Sequence, residues 1–386
     1  MPIRPARRIT DTSPKNFGMF AKAVGMEGDL IHLELGMPAE DTPQHIKDAT
    51  IAALQTGDVH YSDLQGMPQL RAALAAKMTA QGVPLNADEV IITNGLTQAS
   101  FAAFMAFIDA GDECLLLAPY YPQHIGKAEL AGAAVTIAPL DATNGFTINR
   151  ALIEPHITSA TRAIALINPC NPTGRVYTRA ELQVLADLAQ DHDLLVFSDE
   201  VYAEITYDGA THIPIASLPG MKERTITMGA FTKSHAMDGW RLGWIAADAD
   251  LIGPCMKITT SEVTHVNTFI QHGALAALTG DPAVLVGMVN RDQVRRDLVV
   301  SRLNQMPGVS CAPVEGTIYA FPNIAATGLS AQDCADRLLA ETGVVVEAGS
   351  FYGEAGEGHL RVCFGCAELE ILEEAMNRMQ RFFNAL

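Results

Sequence analysis

The chain has 386 residues, 48% of them hydrophobic and 18% charged, which is ample for a sizeable core and for two or three domains. With 44 acidic against 26 basic residues the formal net charge is −18. That balance argues against nucleic acid or an anionic membrane as partner, because both are bound through clustered Lys and Arg. The basic first ten residues have no apolar stretch behind them and do not read as a secretory signal, and apolar runs such as Leu96–Ile108 are too short to span a bilayer. Seven scattered cysteines include one CxxC, Cys363-Phe-Gly-Cys366, with no second Cys or His pair to complete a zinc site. They read as reduced thiols, no metal is expected, and the chain reads as cytoplasmic.

In chain order, apolar β-leaning runs alternate with helical patterns. Strands are expected at Val90–Thr93, Glu113–Ala118, Ala134–Ala138, Ala163–Asn168, Leu194–Asp199, Thr225–Gly229 and Leu242–Ala246. Among the helices between them are Leu96–Ile108 and Thr178–Gln190, the second opened by a capping box in which Glu181 follows Thr178 by three residues. After about Gly280 the pattern changes to a long helix (Pro282–Met306), short strands near Tyr319–Phe321, Val344–Glu347 and Leu360–Cys363, and a last helix, Ala367–Phe383. The fold class that follows is α/β: a large domain (40–285) with a mixed, mostly parallel seven-stranded sheet between helices, and a smaller α+β domain (286–386 with 1–39). Ligands gather at the carboxyl ends of strands in such sheets. Asn94-Gly95, Pro119-Tyr-Tyr121, Asn168–Gly174 and Asp199–Tyr202 all sit where a strand is expected to end.

The most specific segment is Thr232-Lys233-Ser-His-Ala-Met-Asp-Gly-Trp-Arg241-Leu-Gly. A lone lysine is usually a solvated charge, but the flanks of Lys233 are apolar or small, and desolvation favours the free amine that a nucleophile needs. With Arg241 eight residues on, the segment resembles the class I/II aminotransferases, which are pyridoxal 5′-phosphate (PLP) enzymes of fold type I. The resemblance implies that Lys233 carries the cofactor as a Schiff base and that Arg241 binds its phosphate. The family's serine three residues before the lysine is Ala230 here, so either Thr232 supplies the missing hydroxyl or that contact is lost.

Further segments match in the family's order. Asp199-Glu-Val-Tyr202 resembles the pair that keeps the pyridine nitrogen protonated (Asp199) and bonds the phenolic oxygen (Tyr202); a buried carboxylate at that nitrogen is what makes the ring an electron sink. Asn168-Pro-Cys-Asn171-Pro-Thr-Gly174 resembles the family's NPTG loop, with Asn171 donating to the same oxygen and an Asn171–Pro172 bond expected to be cis; Ala118–Pro119 is a second candidate. Gly95-Leu96-Thr97 resembles the phosphate cup, and a glycine turn feeding a helix N-terminus suits an anion on physical grounds. Tyr121 resembles the aromatic stacked on the ring, and His124 the partner behind the ring-nitrogen carboxylate. Tyr61 resembles the tyrosine that reaches the neighbouring subunit's phosphate, which implies a homodimer with shared sites. Arg361 resembles the arginine that grips the substrate α-carboxylate bidentately, and Gly36 the glycine that lets backbone approach the substrate. Together these imply an aminotransferase that moves an amino group between an L-amino acid and a 2-oxo acid. The alternatives are a Cβ/Cγ lyase on the same scaffold and a non-catalytic PLP-binding regulator, for which the chain has neither spare length nor basic charge. Helix Leu96–Ile108, where Met105 takes the place expected of a basic residue, and the stretch Thr259–Asn290 lack Lys and Arg. A second substrate carboxylate would therefore be unpaired unless Arg4, Arg7 or Arg8 reached it, which favours a neutral or aromatic amino acid.

Overall fold

A computed structural model describes residues 3–10, 12 and 18–386. After a two-residue strand β1 (Ile31–His32) come β2 (Val90–Thr93), β3 (Glu113–Ala118), β4 (Ala134–Pro139), β5 (Thr161–Ile167), β6 (Leu195–Asp199), β7 (Thr225–Ala230) and β8 (Gly243–Ala246). These last seven form one sheet in the order β2-β8-β7-β6-β5-β3-β4. Only β8 runs antiparallel to its neighbours, so β2, β3, β5, β6 and β7 end on the same edge.

The inner strands are mostly apolar and buried because both faces are covered, whereas the edge strand β4 is partly exposed. Leu115, Leu117, Ile164, Leu166 and Val196 enter one core, with Leu182 and Leu185 of helix Arg179–Asp191. The alternate residues Cys114, Leu116, Ala163, Ala165 and Phe197 enter the other, with Ala99, Ala103 and Phe104 of helix Gly95–Phe107. Each large aliphatic side chain buried this way contributes roughly 1.5–3 kcal/mol. The expected capping box is present: the Thr178 hydroxyl accepts from Glu181 N at 3.3 Å, and the Glu181 carboxylate accepts from Thr178 N at 2.9 Å.

The C-terminal third builds two small sheets. Strand β9 (Tyr319–Ala320), β10 (Val344–Val345), β11 (Glu347–Ala348) and β12 (Leu360–Cys363) lie among helices Pro282–Leu303, Ala331–Thr342 and Leu369–Asn384. The expected single strand Val344–Glu347 is in fact two. Val344–Val345 pairs parallel with β1, and beyond Val346 the chain changes partner, so that Glu347–Ala348 pairs antiparallel with β12. The order of the second sheet is β11-β12-β9. Met19, Ile31 and Leu33 are buried in the same core as this C-terminal unit, beside Leu338 and Phe382, which ties the N-terminal segment to it.

Candidate active site

The common edge of the large sheet faces β9, β11 and β12 across a cavity of about 730 Å³. Of the residues expected at the site, Gly36, Leu96, Thr97, Tyr121, Asn171, Asp199, Tyr202, Thr232, Lys233, Arg241 and Arg361 line it. They come from the ends of β2, β3, β5, β6 and β7, from the turn before β8, from β12 and from the segment after β1.

Lys233 donates its Nζ proton to the Gly36 carbonyl. Burial pushes its amine below the ordinary lysine value, which raises the fraction of neutral nucleophile. Asp199 ends β6 with Oδ1 accepting from Val201 N at 3.2 Å and Oδ2 3.4 Å from His124 Nε2. His124 is buried against the Phe104 ring, and burial lowers its pKa despite the carboxylate, so the imidazole is neutral at pH 7. Its Nδ1 has no partner among the described residues. Tyr121 lies edge-on to His124, with centroids 5.6 Å apart, and burial lifts its phenol to about 12. Asn171, in a loop whose Asn171–Pro172 bond is cis as expected, turns Oδ1 to Arg361 Nη1 at 3.3 Å. Ala118–Pro119 is also cis, and so is Asn168–Pro169.

At the other end, Gly95 takes φ +77°, and a Cβ there would lie 2.7 Å from Arg241 Nη2. Only glycine lets the helix start close against the guanidinium. Ala230 is buried and forms none of the cavity wall, whereas Thr232 is on it. Tyr61 lies off the wall. It is 87% exposed and stacked on His265 at 4.6 Å.

Arg361 is buried, yet among the described residues no carboxylate pairs with it. It donates to the Glu34 carbonyl and the Asn171 amide oxygen, and among the described residues Nε has no partner. Its guanidinium lies 4.3 Å from the Tyr319 centroid and 5.1 Å from that of Tyr352. Glu347, opposite it on β11, is close enough for their charges to interact but is not at ion-pair distance, and a buried guanidinium with a free Nε suits an added anion.

Sequence reasoning missed Tyr319, Tyr352, Glu347, Phe20 and Lys127, which also line the cavity. Glu347 carried a signal, a single acid inside the apolar run Val344–Ala348. Lys127 lay in helix Gln123–Ala131, outside the two stretches searched for a cation. The arginines Arg4, Arg7 and Arg8 are exposed and off the wall.

The donor set fits PLP. A helix N-terminus, a hydroxyl and an arginine suit a phosphate; an aromatic face and a carboxylate suit a pyridinium ring; and an amide and a phenol suit an anionic oxygen beside a lysine amine.

Comparison with known proteins agrees. The family model for aminotransferase class I and II matches residues 28–379. The chain is 39% identical to an aspartate aminotransferase of Pyrococcus abyssi, over 94% of each chain. It is 38% identical to aromatic-amino-acid aminotransferase 2 of Thermococcus litoralis, again over 94% of each. The crystal structure of an aromatic aminotransferase from Pyrococcus horikoshii superposes with a TM-score of 0.90 at 38% identity, covering 95% of this chain and 98% of that one.

Proposed function

The chain belongs to the class I and II aminotransferase family and is an aminotransferase, and we propose that it works with PLP on Lys233 and prefers a neutral or aromatic L-amino acid. The observation that carries the cofactor and substrate sites is one cavity with a half-buried lysine, its pKa lowered by desolvation, on one wall and, on another, a buried arginine with no carboxylate at ion-pair distance among the described residues. PLP, when bound, supplies the carbonyl carbon that takes the amino group and a ring that withdraws electrons from it.

The residues divide that work. Asp199, backed by the neutral His124, holds a proton at the ring nitrogen. Tyr202 and Asn171 donate to the phenolic oxygen; the Asn171 oxygen is already turned to Arg361, which leaves its amide nitrogen as donor. The first-turn amides of helix Gly95–Phe107, with Thr232 and Arg241, hold the phosphate. Arg361 fixes the substrate carboxylate with two N–H groups, so the Cα proton faces the Lys233 amine. Lys233 would take that proton and return it two bonds along, across the intervening nitrogen, as general base and then general acid.

The preference for neutral or aromatic substrates is supported by Tyr120, Phe351, Tyr352, Phe20 and Leu35 on the cavity wall. The working unit is a homodimer in this reading. Tyr61 is exposed among the exposed apolar residues Ile51, Leu54, Val59 and Leu64, a surface suited to an isologous interface. Seven free thiols suit the reducing cytoplasm. Among the described residues no single helix is long and apolar enough to cross a membrane.

Borohydride treatment should fix the cofactor to the peptide that contains Lys233. An amino acid added without a 2-oxo acid should release close to one equivalent of its own 2-oxo acid per site and then stop. Label on another lysine would overturn the assignment of Lys233.

A further inference from the structure

Tyr319 on β9 touches three groups of the site at once. Its hydroxyl lies 2.8 Å from that of Tyr202, and the two rings meet edge-on. A Cβ on Gly36 would fall 1.8 Å from the same hydroxyl, so the glycine is what leaves it room. The Arg361 guanidinium covers its ring face. Tyr202 follows β6 of the large sheet and Tyr319 belongs to the three-stranded sheet, so this bond links the two walls of the cavity.

Proton counting gives the bond a direction. Each phenol has one proton, and burial drives both groups above their ordinary pKa, so both stay protonated. If Tyr202 spends its proton on an oxygen in the cavity, its own oxygen can only accept from Tyr319. Donation into Tyr202 polarises its O–H and makes it the stronger donor.

We propose that Tyr319 is a positioning residue: its hydroxyl donates to Tyr202, aims the Tyr202 proton into the cavity and strengthens its bond to the cofactor's phenolic oxygen. This rests on the reading of Tyr202 given above. A stronger bond to that oxygen favours its deprotonated form and lowers the pH at which the bound cofactor titrates.

Tyr319→Phe removes the hydroxyl and keeps the ring under Arg361. The absorbance of the bound cofactor, followed against pH, should titrate about half a unit to one unit higher, the net worth of one hydrogen bond. The acid limb of the kcat/KM profile should move with it, while KM for the amino acid at high pH stays unchanged. In a Tyr202→Phe background the same substitution should produce no further spectral shift. An unshifted spectrum in Tyr319→Phe, or an equal shift in both backgrounds, would overturn the proposal. A wild-type protein with no pH-dependent, borohydride-sensitive band would instead overturn the cofactor reading itself, so the two failures are distinguishable.

Discussion

Arg361 gives the sharpest prediction about substrate. Its guanidinium is buried, braced between the Tyr319 and Tyr352 rings and the Glu34 carbonyl, and aligned by Asn171. Truncating one member of a buried, hydrogen-bonded charge pair costs about 2–5 kcal/mol, much of it for the charge left behind. Arg361→Ala should therefore lower kcat/KM for an amino acid by about 30-fold to several thousand-fold. Arg361→Lys keeps a charge but loses the fork and the stacking, about one charged hydrogen bond of 1.5–3 kcal/mol, or roughly ten- to 150-fold. The informative assay pairs each amino acid with the amine that lacks its carboxylate. Wild type should favour the acid strongly, and both variants should narrow that ratio while borohydride still fixes the cofactor at Lys233. If acid and amine lose activity in equal proportion, Arg361 does not hold the carboxylate.

Burial raises Glu347 from the ordinary 4.5 to about 7, in a site where its carboxylate accepts from Met19 N and Ala348 N. A carboxyl that binds its proton more tightly when folded destabilises the fold as pH rises from about 4.5 to 7. Glu347→Gln should recover up to about 3 kcal/mol at pH 8 and nothing at pH 4, read as the pH dependence of the melting temperature. Equal melting shifts at both pH values would contradict this. Tyr61→Phe and Lys233→Ala subunits, each impaired alone, should regain partial activity when mixed, and a fully active monomer at micromolar concentration would rule out shared sites. Among neutral, aromatic and acidic donors, kcat/KM should be lowest for aspartate. A tenfold aspartate preference, about 1.4 kcal/mol, would refute the substrate reading and direct attention to Lys127, whose replacement by Met should then abolish the preference.

The large sheet was legible because its information is local. Residues such as Ile164 and Ala165 alternate between two buried faces, so the strands read as continuous apolar runs whose ends fall where the polar turns begin. Motifs at those ends reach the site by construction, since parallel strands deliver their carboxyl ends to one edge. Asp199, Asn171 and Lys233 could thus be brought to one place without coordinates. Val344–Glu347 was misread for the opposite reason. The three valines Val344–Val346 carry no mark of where the chain leaves β1, and Glu347, the acid at which pairing with β12 begins, reads as the polar end of one strand rather than the start of another.

What stayed hidden depends on contacts across long stretches of chain. Tyr319 is an aromatic residue in an apolar pair, which reads as ordinary core, and its meaning lies in a hydroxyl beside Tyr202, 117 residues away. Arg361 was singled out by the family resemblance alone, while its burial and the Asn171 oxygen against it, 190 residues back, were not legible in the sequence. The same geometry couples the two walls of the cavity through Tyr319. Tyr319 contacts Gly36, bonds Tyr202 and carries Arg361 on its face, so a larger residue at 36 would displace the phenol and disturb both Tyr202 and Arg361. A glycine that the resemblance explains as room for substrate is, in the fold, room for the tyrosine that Tyr202 and Arg361 share.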